Sequence, residues 1–272
     1  MSSSSLNLIQ GDGRIDGTSL SDRVIGSTGV DVIRAGYGDD QVDAQADSDV
    51  IEAGRGNDIV LGGTGDDEIK GQRGDDVLVG GAGNDRLTGG DGDDYLVGTD
   101  FVAAGVGEVD HLRGGQGADT FVLTETRALL NRDDARKDEL TGQSADQTIY
   151  YLDADFDAGN DGYVVIRDFQ PGQGDRLQLL EPNALSESKI DATNRSYTIG
   201  QSPISGIRGS AIYVSSADNA VPDDLVAIVQ FPGHPGRQVD LGAQYITYIG
   251  DVTELGPLPF PIEPSIDITP GV

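Results

Sequence analysis

An aspartate returns every nine residues along the first part of this chain: Asp22, Asp31, Asp40, Asp49, Asp58, Asp67, Asp76, Asp85 and Asp94. Two residues after each stands a branched apolar side chain, from Val24 and Ile33 to Leu87 and Leu96. Clean copies read GGTGDDEIK (62–70), GGAGNDRLT (80–88) and GGDGDDYLV (89–97). A stretch with one insertion (98–113) recovers phase at Asp110 and Leu112, and GGQGADTFV (114–122) closes the series with Asp119 and Phe121. Nine in-frame copies plus these two make eleven. Carboxylates at a fixed period, interleaved with glycines, are suited to gathering hard oxygen ligands around a cation. Two kinds of element must position them. The last three residues of each copy alternate as a strand does, the apolar one facing inward. The first six make a turn, where glycine at position 2 or 4 permits positive φ and lets backbone carbonyls converge.

The pattern GGxGxDxUx, in register over roughly residues 17–122, resembles the bacterial hemolysin-type calcium-binding (RTX) repeat family. The resemblance implies an all-β fold, a right-handed parallel β-roll in which two nonapeptides make one coil. Alternate turns then stack about 4.8 Å apart. Asp22, Asp40, Asp58, Asp76, Asp94 and Asp119 fall along one edge, and Asp31, Asp49, Asp67, Asp85 and Asp110 along the other. Calcium takes roughly six to eight oxygens, which carboxylates and carbonyls of two stacked loops can supply. The expected metal residues are these eleven aspartates with the turn glycines Gly36, Gly38, Gly54, Gly56, Gly63, Gly65, Gly74, Gly81, Gly83, Gly90, Gly92, Gly115 and Gly117. Six stacked loops leave five gaps and five leave four, so nine calcium ions is the ceiling. Fewer are expected. The loop 44–49 has Gln45 and Asp47 where glycines belong, the loop 17–22 has Thr18 and Leu20, and 98–113 is interrupted.

Asp and Glu number 47 against 18 Lys and Arg, a net charge of −29 in 272 residues. Nucleic acid and anionic membrane are therefore poor partners. The same charge opposes compaction until cations neutralise it, which makes metal binding and folding one equilibrium. Extracellular calcium sites have dissociation constants of about 10⁻⁴–10⁻³ M, so the chain is expected to stay loose inside a cell and fold outside. A secreted, extracellular or cell-surface location follows as the expectation. Cysteine is absent, which removes disulfide and thiol chemistry. The start MSSSSLNLIQG lacks a basic segment and a long apolar core, so no cleaved leader is expected, nor any transmembrane span. The family resemblance implies export by a type I channel through an uncleaved C-terminal signal.

Four segments emerge: an N-terminal cap (1–16), the roll (17–122), a β-rich C-terminal domain that continues and caps it (123–250), and a Pro-rich extended tail (251–272). Of 40 glycines, 26 lie at or before residue 122. Residues 124–146 hold the one expected helix. Beyond it, YVVIRDF, DRLQLL, SYTIG, GSAIYVSS, DLVAIVQF and QYITYIG read as strands between turn residues. The stretch DADFDAGNDG (153–162) spaces aspartates like an EF-hand loop, but Ala158 and Val164 stand where Gly and Glu belong, so a solvated acidic loop is expected. No HExxH, GxSxG or phosphate loop occurs, His111 reads as an outward strand position and His234 as part of a turn. A non-enzymatic, calcium-binding structural protein acting by adhesion or assembly is the expectation. The alternative is a calcium-folded module whose C-terminal domain binds a glycan or protein.

One outer face stands out. Alternate copies place Leu61, Val79, Val97 and Val122 at position 9, joined by Ile59, Val77 and Tyr95 at position 7. An outward row this apolar is expected to be covered, by the 123–250 domain folding back or, second, by self-association.

Overall fold

The computed structural model describes residues 6–99, 107–126, 147–149, 162–180, 195–216 and 224–249. All helix or strand structure among them is strand. The chain begins with β1 (Asn7–Gln10), β2 (Arg14–Asp16), β3 (Asp22–Ser27), β4 (Val32–Tyr37), β5 (Gln41–Gln45), β6 (Val50–Arg55) and β7 (Ile59–Thr64). It continues through β8 (Glu68–Arg73), β9 (Val77–Ala82), β10 (Arg86–Asp91), β11 (Tyr95–Thr99), β12 (Val109–Gln116) and β13 (Thr120–Val122). A short pair follows, β14 (Thr124–Thr126) and β15 (Gln147–Ile149). The last six are β16 (Tyr163–Ile166), β17 (Arg176–Leu180), β18 (Arg195–Gln201), β19 (Ser210–Ser216), β20 (Asp224–Val229) and β21 (Ile246–Ile249).

Each nonapeptide supplies one strand and one turn, so successive strands fall alternately into two facing sheets. Odd strands from β1 to β13, then β17 and β21, form a nine-stranded sheet. Even strands from β2 to β12, then β16, β20, β19 and β18, form a ten-stranded one. Pairing is parallel throughout the repeats, as in β4 with β6 and β7 with β9. It turns antiparallel at β19 with β20 and β18 with β19. The protein is an all-β parallel β-roll, and the lead-in contributes β1 and β2, the end strands of both sheets.

The core is the row of position-8 side chains. Val24, Ile33, Ile51, Val60, Ile69, Leu78, Leu96, Leu112 and Phe121 have no exposed surface. Each such burial stabilises by roughly 1.5–3 kcal/mol. The row runs on into Leu177, Ile166 and Val229, and an aromatic cluster sits at its C-terminal end. There Phe169 meets Phe121, Phe231 and Tyr245 edge to face at 6.0, 5.6 and 5.4 Å.

The six strand runs read beyond residue 146 correspond to β16 to β21. The helix expected over 124–146 is corrected at its start, where Thr124–Thr126 is a strand; 127–146 lie outside the described residues. The EF-hand-like stretch, apart from Gly162, and the Pro-rich tail also lie outside them. The apolar outer row is dry within the single chain: Ile59, Val77, Val79, Val97 and Val122 are all buried, with Leu61 and Tyr95 packed against the core cluster. Tyr95 Oη accepts from Gln178 Nε2 (3.1 Å) across β13, and Gln178 is itself buried. Most of the described C-terminal strands extend the two sheets edge to edge.

Candidate metal centre

All eleven position-6 aspartates are buried, at no more than 1 % exposure. Burial follows from the turn, which places position 6 just before its strand, with the side chain under the neighbouring loop. Along one edge the N–H of Asp22 donates to Oδ1 of Asp40, Asp40 to Asp58 and Asp58 to Asp76, each at 2.8 Å. Asp76 donates to Asp94 and Asp94 to Asp119, at 2.9 and 3.1 Å. Along the other edge Asp31 donates to Asp49, Asp49 to Asp67, Asp67 to Asp85 and Asp85 to Asp110, at 2.7 to 2.8 Å. The insertion in 98–113 therefore leaves the stacking intact. The structure brings together every aspartate expected from the sequence, in two rows.

Beyond Asp22 and Asp31, which start the rows, one oxygen of each carboxylate is used by this ladder. The other is not. Oδ2 of Asp40, Asp49, Asp58, Asp67, Asp76, Asp85, Asp94 and Asp119 is buried without a hydrogen-bond partner. Burial raises the pKa of these groups, that of Asp76 and Asp85 to about 8, of Asp40, Asp49, Asp94 and Asp119 to about 7, and of Asp58 and Asp67 to about 6. The ladder N–H groups oppose the rise, while carboxylates in adjacent loops add to it, Asp58 and Asp94 acting on Asp76. A buried carboxylate with a free oxygen is costly unless a positive charge meets it.

The turn glycines supply what else a cation needs. Gly54 and Gly56 have φ of +126° and +127°, and a Cβ on either would run into the carbonyl oxygen of Gly36 or Gly38 in the loop below. Backbone oxygens of one loop thus press against the next, with no side chain between them. No group of three or more His, Cys, Asp or Glu side chains converges among the described residues. A cation here must draw on carbonyls as well as carboxylates, the donor mixture calcium accepts and magnesium, with its tight octahedron, does not favour. The residues present fit calcium.

Two expected defects are absorbed by the backbone. Gln45 and Asp47 take φ of +82° and +73°, the conformation glycine would have had. Gln72 does the same at +81°. In the first loop Thr18, lacking glycine's freedom, caps locally: its N–H donates to Asp22 Oδ2 at 2.6 Å.

Three features escaped sequence reasoning. At position 5, short polar side chains make a second, exposed ladder in the opposite sense. Asn57 N–H donates to Asp39 Oδ1 (2.9 Å), Asp75 to Asn57 (3.0 Å) and Asp93 to Asp75 (2.9 Å). At position 1, Gly62, Gly80 and Gly89 stand where a Cβ would strike Oδ2 of Asp67, Asp85 and Asp94. Finally, Asp175 prolongs the first ladder beyond the repeats: buried, it accepts from Asp119 N–H at 3.3 Å and Gln170 N–H at 2.7 Å. Its signal was visible in the sequence, since Asp175 stands two residues before the inward Leu177.

Residues 16–51, 43–78, 70–102 and 104–123 match the family model of the RTX calcium-binding nonapeptide repeat in four copies. Residues 16–123 are an array of RTX repeats. The matches and the aspartate ladders cover the same stretch, so the buried aspartates belong to repeats of a calcium-binding type. No curated protein matches it. A solved structure it resembles is the solution structure of the AlgE6R3 subunit from the Azotobacter vinelandii mannuronan C5-epimerase, at 18% identity over 94% of each chain. The TM-score is 0.24, too low for that likeness to carry any argument about this RTX chain. No helix among the described residues is long and apolar enough to cross a membrane.

Proposed function

We propose that the chain is a secreted, non-enzymatic structural protein that folds on extracellular calcium and acts at the cell surface or in the matrix by assembly or adhesion. The observation that carries this is the double row of buried aspartates with unpartnered Oδ2 atoms. Without a cation that row opposes the fold; with calcium it becomes its cross-link. The eleven aspartates and their turn glycines hold the ions, up to nine in the gaps between loops. Millimolar affinity separates a loose chain in the cytosol from a folded one outside. The assembly reading draws support from the N-terminal end of the roll, where Leu8, Leu20, Val30 and Tyr37 are exposed on and beside the end strands. A second reading, a calcium-folded module that binds a glycan or protein through its C-terminal strands, is favoured by a cluster of arginines around Phe231.

Calcium titration followed by circular dichroism and sedimentation tests both parts. Cooperative gain of β-structure near millimolar calcium, with magnesium ineffective, is expected. Equal folding in magnesium or in chelator would overturn the calcium reading. A strictly monomeric folded chain would overturn assembly in favour of the binding module.

A further inference from the structure

In a chain with net charge −29, arginines without acidic partners are conspicuous. Arg167, Arg208 and Arg237 line one cleft of about 250 Å³ with His234, Gln230 and Phe231. None of the three forms an ion pair with any described residue, whereas neighbouring Arg113 is held by Asp168 at 3.2 Å. They come from three separate places: just after β16, just before β19, and the turn after β20. The fold alone collects them.

The cleft is built rather than accidental. Gln230 N–H donates to Ile166 O (2.8 Å), and Gln230 Nε2 donates to Arg208 O (2.7 Å), tying the Arg208 loop to β20. Two successive turns, His234 N–H to Phe231 O and Arg237 N–H to His234 O, both 3.0 Å, fold FPGHPGR back on itself. Arg237 then lies over the Phe231 ring at 4.8 Å, and Phe231 is anchored on Phe169 in the core. Arg167 Nη2 donates to His111 Nδ1 at 3.3 Å. Burial, with Arg167 and Arg86 beside it, lowers the basicity of His111, so the imidazole accepts without adding charge. The Arg167 and Arg237 guanidinium groups, held this way, spend less entropy on meeting a planar oxyanion, and the guanidinium fork matches a carboxylate bidentately.

We propose that this cleft is a binding site for a carboxylate-bearing saccharide. The proposal deepens the binding-module reading by naming its ligand class. The cleft is open, ringed by Gly209, Gly233 and Pro235, and floored by Phe231, which leaves room for a sugar ring carrying an acid group. Arg167 reaches from the cleft toward His111 on the adjacent strand β12, so this guanidinium sits at the border between the cleft and the outer face of the sheet. A polyphosphate backbone, much denser in charge, meets the repulsion of the acidic roll instead.

The test uses the full chain in saturating calcium. A tetrasaccharide alternating glucuronate and N-acetylglucosamine is titrated by calorimetry beside the neutral N-acetylglucosamine tetramer and inorganic sulfate. Its spaced carboxylates compete little for calcium. Binding of the uronate, with none of the neutral sugar and little of sulfate, is expected. The double variant Arg208→Gln/Arg237→Gln should lose affinity at least about tenfold, while Arg55→Gln, an equal change of charge per site far from the cleft, should stay within about twofold. Circular dichroism of the same samples reports whether calcium folding is intact, so a failure of the roll is told apart from a failure of the cleft. Equal binding of sulfate, equal binding of the neutral sugar, unchanged affinity in the double variant, or no binding by a properly folded chain would each overturn the proposal.

Discussion

The backbone N–H of Asp76 donates to Oδ1 of Asp94 at 2.9 Å, while Oδ2 of Asp94 is buried with no partner. That division of labour, one oxygen for the coil below and one left for a cation, repeats along both edges of the roll. It explains why a chain so acidic can stack its carboxylates, and it fixes how stability must respond to protons and metal.

Without calcium, stability should fall as pH rises. Buried Asp40, Asp76 and Asp85 have folded pKa values of about 7, 8 and 8, far above the unfolded value of about 4. A raised folded value means the neutral form favours the fold, so the contribution is full below about pH 4 and is lost through pH 6 to 8. In chelator, circular dichroism at pH 4.5 should show more β-structure than at pH 8. Calcium reverses the slope, because it needs the ionised carboxylates, and its affinity should climb through the same window. A calcium-free chain better folded at pH 8 than at pH 4.5 contradicts the buried-carboxylate account.

Gln72→Gly should stabilise the calcium-loaded protein by about 1 kcal/mol, since Gln72 holds φ at +81° where glycine carries no penalty. Gly74→Ala, two residues on, should cost more than about 2 kcal/mol, because its φ is +120° and its Cβ would meet Gly56 O. Urea midpoints in saturating calcium measure both, and equal shifts of the same sign would refute the loop geometry.

Val79→Lys with Val97→Lys should destabilise the single chain by at least about 3 kcal/mol. Both side chains are buried in the monomer, at 7 % and 8 % exposure, so the new ammonium groups must be desolvated or the outer layer opened. The thermal midpoint should drop with no change in oligomeric state. An unaltered midpoint together with altered sedimentation would restore the self-association reading of this row.

Asp175→Ala should cost about 1–3 kcal/mol, as the N–H groups of Asp119 and Gln170 lose their acceptor. Asp175→Asn, which keeps the Oδ1 acceptor, should cost less. If hydrogen exchange at the Asp119 amide is equally slow in the alanine variant and the parent, the ladder ends at Asp119.

The repeat made much of this legible in advance. A nine-residue period with glycine, aspartate and a branched apolar side chain in set places determines strand, turn, core row and carboxylate row together, because each is a local consequence of position within one copy. What it could not decide depends on contacts between copies or beyond them. Whether Gln45, Asp47 and Gln72 would enter the left-handed region was settled by the stacked loops above and below, which hold the backbone to the shape of its neighbours. The ladder crossed the interruption at 98–113 because Asp85 pairs with Asp110 through space, indifferent to the number of residues between. Beyond residue 122 there is no period to read. The strands there were visible singly, but their order, β12-β16-β20-β19-β18, is fixed by which apolar faces could close the open end of the core. Arg167, Arg208 and Arg237 meet only as a result of that order, so their cleft belongs to the tertiary structure alone.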